Sequence, residues 1–432
     1  MSVTPGILDP RSGNWRERLD AIVETMREMS SQTDPQALVR HYSARMSRYI
    51  PRDRAISLSR RGHKQPELRV TRYSEWTEEI NPWKDKDRHP HISGGIFAEL
   101  IYGDEARIID RLDVADDDPA AEYLAGQHSL VAIPLFDDGV ALNMIIQTSE
   151  QPDAFDCERL PEFVWMSNLF GRATHNLVLR EELQEAYDRV DLELKVIADI
   201  QRSLLPAALP RIPTMDLAVE YKTAHRAGGD YYDFFPLPGG RWGILIADVS
   251  GHGTPAAVMM AITHTIAHGT CELPECPAEF LRFLNERLVC RYTAGNGSFV
   301  TAFYGVYDPS TRTLAYSNAG HNPPRVRRCA GGPVFALDNA RSLPLGIDAG
   351  VEYEHDVAHF VVDDQIIFYT DGITDAPNSR GERFGSTRLD KVLSECRPEA
   401  SGVIGAVLEA VNRFADGTPA DDDQTLLIAK IR

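Results

Sequence analysis

The sequence predicts an α+β protein of more than one domain, and three stretches carry that expectation. Between Gly228 and Gly253, two runs rich in aromatic and β-branched residues, Tyr231 to Phe235 and Trp242 to Ile246, flank the turn formers Pro238-Gly239-Gly240 and read as a hairpin. Beyond Pro161, no glycine or proline other than Gly171 interrupts a charged, helix-forming stretch that reaches Leu205. Ahead of it, apolar residues first recur at helical spacing and then fall into short strand-like runs. At 432 residues the chain exceeds one ordinary core, and a length of roughly 150 residues per domain points to two or three units.

Residues 1–14 hold turn formers without periodicity and are expected to be a flexible lead. From Trp15 to about Met29, Leu19, Ile22, Val23 and Met26 mark a helix, and Asp34-Pro35 opens a second one through Tyr49. Ala55 to Arg60 and Leu68 to Tyr73 are strands, and Ser129 to Phe136 with Val140 to Thr148 form a hairpin around Asp138-Gly139. The segment from Gly94 to Gly126 carries too few signals to assign. Trp76, Trp83, Phe97 and Tyr123 fall where a pocket would be lined, although aromatics in a small domain more often serve the core.

In the long helical stretch, Leu179, Leu183, Ala186, Val190, Leu194 and Ile197 step by 4, 3, 4, 4 and 3, a heptad seam with one stutter between Val190 and Leu194. Unbroken, the stretch would make a rod of roughly 70 Å at 1.5 Å per residue. Either the helix packs on its own domain or it pairs with a second copy. The narrow, polar-flanked seam favours a parallel dimer.

After the Gly228–Gly253 hairpin, Thr254-Pro255 reads as the start of a helix to about His268. Ala278 to Tyr292 is a further helix, Phe299 to Tyr307 pairs with Thr313 to Ser317, and 389–393 and 403–414 are the last helices. Asp230 lies nine residues before Gly239 and Asp248 nine after it, so a turn centred there sets the two carboxylates opposite each other across the ladder. Gly228-Gly229 and Gly251-His252-Gly253 bracket the pair with backbone poor in side chains, read as room for a metal and an anion to approach. A surface hairpin with acids at its strand ends is the plain alternative. Two further acidic stations weigh against it: Asp371 follows the strand Gln365 to Thr370, and Asp421-Asp422-Asp423 precede the strand Thr425 to Ala429. Four aspartates from separate strand ends make an oxygen-only cage suited to Mg²⁺ or Mn²⁺ rather than zinc.

The motifs GGDYYD, ADVSGHG, AGHNPP, YTDGITDA and DDQTLL, in that order over the C-terminal half, resemble the bacterial SpoIIE/RsbU-type branch of the PPM metal-dependent serine/threonine protein phosphatases. The resemblance implies an α-β-β-α sandwich over residues 206–432 with a two-metal site using Mn²⁺ or Mg²⁺. It implies metal ligation and catalysis by Asp230, Asp248, Asp371 and Asp422, with Asp248 bridging and the Val249 carbonyl also touching metal. Asp423 is adjacent to Asp422, and the sequence leaves a one-place shift open. Gly229, Gly251, His252, Gly372 and Asp423 are expected to support these ligands. Two departures stand out: Val249-Ser250-Gly251 separate Asp248 from His252, so no general-acid role is carried to His252, and Asp375 stands where relatives often carry Glu. His321 is read as a loop histidine near the site or bonded to backbone.

Residues 15–175, with helices, a small sheet and the VAIPL strand, resemble a GAF sensory domain of unknown ligand, with a PAS-like domain as the runner-up that the VAIPL strand disfavours. Residues 176–205 form the linker, whose Ile200-Gln201 and Leu204-Leu205-Pro206 are similar to a stretch that in relatives enters the phosphatase domain and is thought to regulate it. Together these imply a sensor-regulated phosphatase acting through a metal-activated water on a phosphoserine or phosphothreonine protein, in relatives an anti-sigma-factor antagonist of STAS type, as a homodimer. An inactive metal-binding module, and a metal-dependent small-molecule phosphatase or phosphodiesterase, are the alternatives. A net charge of −19 disfavours nucleic acid and anionic membranes. With no apolar run near the roughly 20 residues of a membrane span and no signal-peptide pattern, a cytoplasmic location is expected. Cys157, Cys271, Cys276, Cys290, Cys329 and Cys396 form no C-x-x-C pair and are expected to be reduced.

Overall fold

A computed structural model of the chain describes residues 15–49, 52–78, 80–269, 274–295, 297–328, 331–395, 397 and 399–432. The expected lead at 1–14 and Cys271, Cys329 and Cys396 lie outside the described residues, while Cys157, Cys276 and Cys290 are free thiols. The chain divides into two compact units, the first ending at Tyr187 and the second spanning Asp188–Arg432.

The first unit runs α1 (Trp15–Ser31), α2 (Pro35–Tyr49), β1 (Arg54–Ser59), β2 (Glu67–Tyr73), β3 (His91–Ser93), α3 (Gly95–Gly103), β4 (Arg107–Ile109), α4 (Ala121–Leu124), β5 (Ser129–Asp137) and β6 (Val140–Ser149). Its strands form one antiparallel sheet in the order β3-β2-β1-β6-β5-β4. Side chains alternate between the faces of a strand, and both faces are used. In β5, Leu130 and Ala132 join Ile56, Leu58 and Ile146 beneath Phe97 and Ile101 of α3. Val131 and Ile133 point the other way, to Leu38, Tyr42 and Met46 of α2 and to Phe163 and Phe170. The unassigned segment turns out to hold α3, β4 and α4. With GIFAELIYG apolar on most sides, α3 has no stripe for periodicity to detect. Phe97 and Tyr123 are core residues, whereas Trp76 and Trp83 line a cavity of about 1040 Å³ in this unit.

The helix α5 (Leu160–Leu204) is continuous over 45 residues, with Pro161 in its first turn, where no intrahelical donor is lost. Along the predicted seam Leu179, Leu183 and Val190 are about half exposed, at 48%, 58% and 53%, and Leu194 and Ile197 are partly covered.

The second unit contains β7 (Met215–Lys222), β8 (Tyr231–Pro236), β9 (Trp242–Val249), α6 (Thr254–Ala267), α7 (Pro277–Leu288), β10 (Val300–Asp308), β11 (Thr313–Ala319), β12 (Arg325–Arg327), β13 (Phe335–Ala336), β14 (Arg341–Ser342), β15 (Asp356–His359), β16 (Gln365–Tyr369), α8 (Asp371–Thr374), α9 (Gly385–Leu393), α10 (Ala400–Ala415) and β17 (Gln424–Ile431). One sheet is ordered β14-β11-β10-β9-β8 with β15 on β11, the other β13-β12-β16-β17-β7. The two sheets face each other. Ile366 and Phe368 of β16 and Leu427 and Ala429 of β17 enter a core shared with Ile244, Ile246 and Phe303, and Phe303 meets Phe368 edge-on at 5.7 Å. The alternate residues Ile367, Tyr369, Leu426 and Ile428 lie instead under α9 and α10. On the far side, Phe280 of α7 stacks on Tyr304 at 4.0 Å and packs near Phe235. The result is helices, sheet, sheet, helices. The helix expected to reach Tyr292 does so, α-helical to Leu288 and π-helical over Val289–Thr293.

Candidate active site

The register of β8 on β9, Tyr231 with Ala247 through Pro236 with Trp242, turns about Pro238–Gly240, where Gly239 and Gly240 take φ of 75° and 77° that side chains resist. Continued by one residue, it sets Asp230 opposite Asp248. The charge of Asp248 acts on Asp230. The face they share, with Tyr232, Phe234, Ile244 and Ile246, is the one turned to the second sheet, and that sheet supplies the other half of the site.

There β16 and β17 pair antiparallel, Tyr369 with Leu426, so Asp371 leaves β16 beside the point where Asp422-Asp423 enter β17. Thr370 and Thr425, at those same strand ends, donate hydroxyl hydrogen bonds of 2.8 and 2.5 Å to Oδ2 of Asp230. Asp230 is 1% exposed; Asp248, Asp371 and Asp422 retain access to solvent.

The adjacent acids Asp422 and Asp423 do different things. Asp423 is buried, and its two oxygens accept from the backbone N–H of Ala224 at 2.9 Å and of Gly229 at 2.6 Å. Its carboxylate braces the loop that leads into β8. Among the described residues, Asp422 accepts only the neighbouring N–H of Asp423 at 2.9 Å, and its charge acts on Asp248 and Asp371.

The glycines have a reason other than access. A Cβ on Gly228 would collide with the Asp423 carboxylate, and one on Gly372 with the Asp423 and Asp422 backbone carbonyls; on Gly229 it would sit 3.0 Å from the Val249 carbonyl oxygen. Gly251 and Gly253 face open space but take φ of 90° and 75°. The first three permit close packing and the last two permit a turn.

Electrostatics decides what such a cluster can hold. Burial, followed by the charges of Asp371, Asp422 and Asp423, pushes Asp248 up to about 8. Burial and the Asp248 charge raise Asp230 well above the carboxylate range. Burial and then Asp422 raise Asp371, and burial followed by the Asp423 charge raises Asp422 against the pull of the Asp423 N–H, His252 and His225. The guanidinium nearest in influence, Arg383, is hydrogen-bonded to Asp375 at 2.5 Å. Four acids that raise one another's proton affinity, with oxygen donors only, fit divalent Mg²⁺ or Mn²⁺.

Several neighbours complete the surroundings of the site. His225 packs against His252 at 4.7 Å, both exposed beside Asp422. Gln201, near the end of α5, clamps Gly228 in both directions: its Nε2 donates to the Gly228 carbonyl at 2.7 Å, and its Oε1 accepts the Gly228 N–H at 2.9 Å. His321 is buried, bonded to Thr301 at 2.9 Å and tied to Asn318 through its backbone. Burial lowers it to about 4, a neutral structural histidine.

Residues 238–432 match the family model described as Stage II sporulation protein E (SpoIIE). The chain is 28% identical over 257 residues to phosphoserine phosphatase RsbU of Bacillus subtilis, covering 58% of this chain and 73% of that protein. It is 26% identical over 290 residues to protein IcfG of Synechocystis, covering 61% of this chain and 44% of that protein, so it spans less than half of this longer relative. Among solved structures, the SiaA-PP2C domain of Pseudomonas aeruginosa aligns with a TM-score of 0.51 at 21% identity, over 57% of this chain and 99% of that domain, a likeness of fold. Over residues 238–432 the C-terminal unit is thus similar to the SpoIIE family.

Proposed function

We propose that the chain is a sensor-regulated, metal-dependent protein serine/threonine phosphatase acting on a partner phosphoprotein. The observation that carries this reading is the convergence of Asp230, Asp248, Asp371 and Asp422 from the ends of four strands in two facing sheets. These carboxylates, with the Val249 carbonyl, would hold two Mn²⁺ or Mg²⁺ ions. Bound there, such ions acidify water and offset the charge on phosphoryl oxygens, so that no covalent enzyme intermediate is needed. The protein's own contribution is to fix the cage. Thr370 and Thr425 hold one oxygen of Asp230, Asp423 and Gln201 hold the backbone around Gly228, and Asp248 gives up a proton when a cation binds. His225 and His252, exposed at the rim, offer donors to an incoming phosphate.

The substrate is a phosphoserine or phosphothreonine on a small partner protein, an anti-sigma-factor antagonist of STAS type being the class the resemblance implies. With a net charge of −19, capture depends on local docking rather than long-range attraction. Residues 15–175 act as a GAF-like sensor, a reading supported by the single six-stranded antiparallel sheet between helices and by the cavity of about 1040 Å³, which is lined by Arg52, Arg69, Trp76, Trp83 and Gln147 among others. Residues 176–205 carry the signal as a dimeric helix, and 206–432 perform the chemistry. No described helix is long and apolar enough to cross a membrane.

The test is phosphate release from a phosphoserine peptide by the full chain, with Mn²⁺ and then with chelator, beside a cyclic dinucleotide under the same conditions. Chelator-sensitive release from the peptide, abolished in a folded Asp248→Asn protein, is expected. Release that survives either treatment, or faster turnover of the dinucleotide, would overturn the assignment.

A further inference from the structure

A second group of donors lies on the opposite face of the same strand. Along β8 side chains alternate, so Asp230 faces the second sheet while Asp233 faces the covering helix α6. There Asp233, His264 and His268 bring one donor atom each to within 4.8 Å of the others. His264 and His268 are four residues apart, the spacing that stacks two side chains on one side of a helix, and their rings lie 4.4 Å apart. Nε2 of His268 is 2.7 Å from Oδ2 of Asp233, and Nδ1 of His264 is 3.8 Å from the same oxygen.

We propose that Asp233, His264 and His268 form a transition-metal site, distinct from the carboxylate cage and selective for Zn²⁺-like cations. Geometry comes first. Metal bonds of about 2.0 Å in a tetrahedron put neighbouring donors roughly 3.3 Å apart. The 2.7 and 3.8 Å separations bracket that value, so small side-chain rotations complete the set. Two imidazoles and one carboxylate are the donors of Zn²⁺, Co²⁺ or Ni²⁺, in contrast to the all-oxygen cage that suits Mg²⁺ and Mn²⁺.

The carboxylate is also held as a ligand is held. Oδ1 of Asp233 accepts the Phe234 N–H at 2.7 Å, and the buried Tyr231 hydroxyl donates to Oδ2 at 2.5 Å. Such partners orient a ligating carboxylate and tune its affinity. Asp233 is 6% exposed, a position where a negative charge needs a cation nearby. The His268 side chain is 45% exposed and gives an ion a way in. With three protein donors, a fourth position is left for water. A cation there would pin α6 to β8, the two elements that lead away from the acidic cage.

The test uses the full chain in excess Mg²⁺, titrated with Co²⁺ and followed by visible absorption, then back-titrated with Zn²⁺. One Co²⁺ equivalent with a low-coordinate spectrum, displaced by Zn²⁺, is expected. His268→Ala and His264→Ala should each weaken it by more than the roughly 10–100-fold that loss of a partner bonded to a ligand costs, and Asp248→Asn should leave it unchanged. His268→Gln, at the exposed helix end, serves as a second variant, with circular dichroism showing that each protein is folded. No Mg²⁺-resistant Co²⁺ site in the parent chain, the same site in a folded His264→Ala/His268→Ala protein, or its loss in Asp248→Asn would each overturn the proposal.

Discussion

Asp422 and Asp423 show how far two identical neighbours can diverge. Asp423 has both oxygens committed to backbone N–H groups of the Ala224–Gly229 loop, so Asp423→Asn exchanges one acceptor for an amide NH₂ that faces a donor. Leaving a buried donor unmatched costs about 1–3 kcal/mol, and the variant should melt several degrees lower. Asp422→Asn should melt no lower than the parent and lose Mn²⁺ affinity instead. Thermal melts and calorimetric Mn²⁺ titrations on both proteins check this, and an exchanged pattern would move the ligand role to Asp423. The raised carboxylates give a second expectation. Because Asp230, Asp248, Asp371 and Asp422 hold protons more tightly in the folded chain, their stabilisation is present in acid and is lost as pH rises through those raised values, to about 8 for Asp248. The metal-free protein should therefore melt progressively lower as pH rises towards 8. Mn²⁺ should flatten the slope with release of protons, and metal-free Asp248→Asn should show a shallower fall.

At the scale of elements, the hairpin was legible because its information is local. A turn centred on Gly239 fixes which residues oppose each other, and period-2 burial in β16 and β17 fixes which strand ends lie together. What could not be read depends on distant backbone. Thr370 and Thr425 look like ordinary strand residues until Asp230 arrives between them, and His264 and His268 look like helix surface until β8 lies beneath. In the first unit α3 escaped because an all-round apolar nine-residue helix has no period to detect. Gln201 is the sharpest case. The sequence marked its neighbourhood, while its double hydrogen bond to Gly228 appears only in the fold. Because Gly228 also cannot accept a side chain against Asp423, the end of α5 sets the backbone two residues ahead of Asp230. Gln201→Ala should lower kcat on the phosphoserine peptide at least several-fold with little change in KM. Gln201→Glu should not rescue it, since a carboxylate loses the donor to the Gly228 carbonyl. Unchanged kcat in Gln201→Ala would uncouple α5 from the cage.

For the whole molecule, what covers α5 decides how two copies relate. Leu179, Leu183 and Val190 expose about half their surface on a helix otherwise rich in charge, and each buried side chain of this size is worth about 1.5–3 kcal/mol. A parallel pairing of two copies buries those positions together and leaves the polar flanks in water. Val190→Pro removes a helical hydrogen bond and clashes with the preceding turn, a cost of about 3 kcal/mol; with two copies paired through α5, it should lower the mass in light scattering and change phosphatase activity. Leu183→Asp places a charge in the seam without breaking the helix and should reproduce the loss of mass. If both proteins keep the parent's mass and rate, pairing through α5 is excluded. If the mass falls while the rate holds, the helix joins two copies without carrying a signal to the carboxylates, and regulation has to reach Gly228 within a single chain.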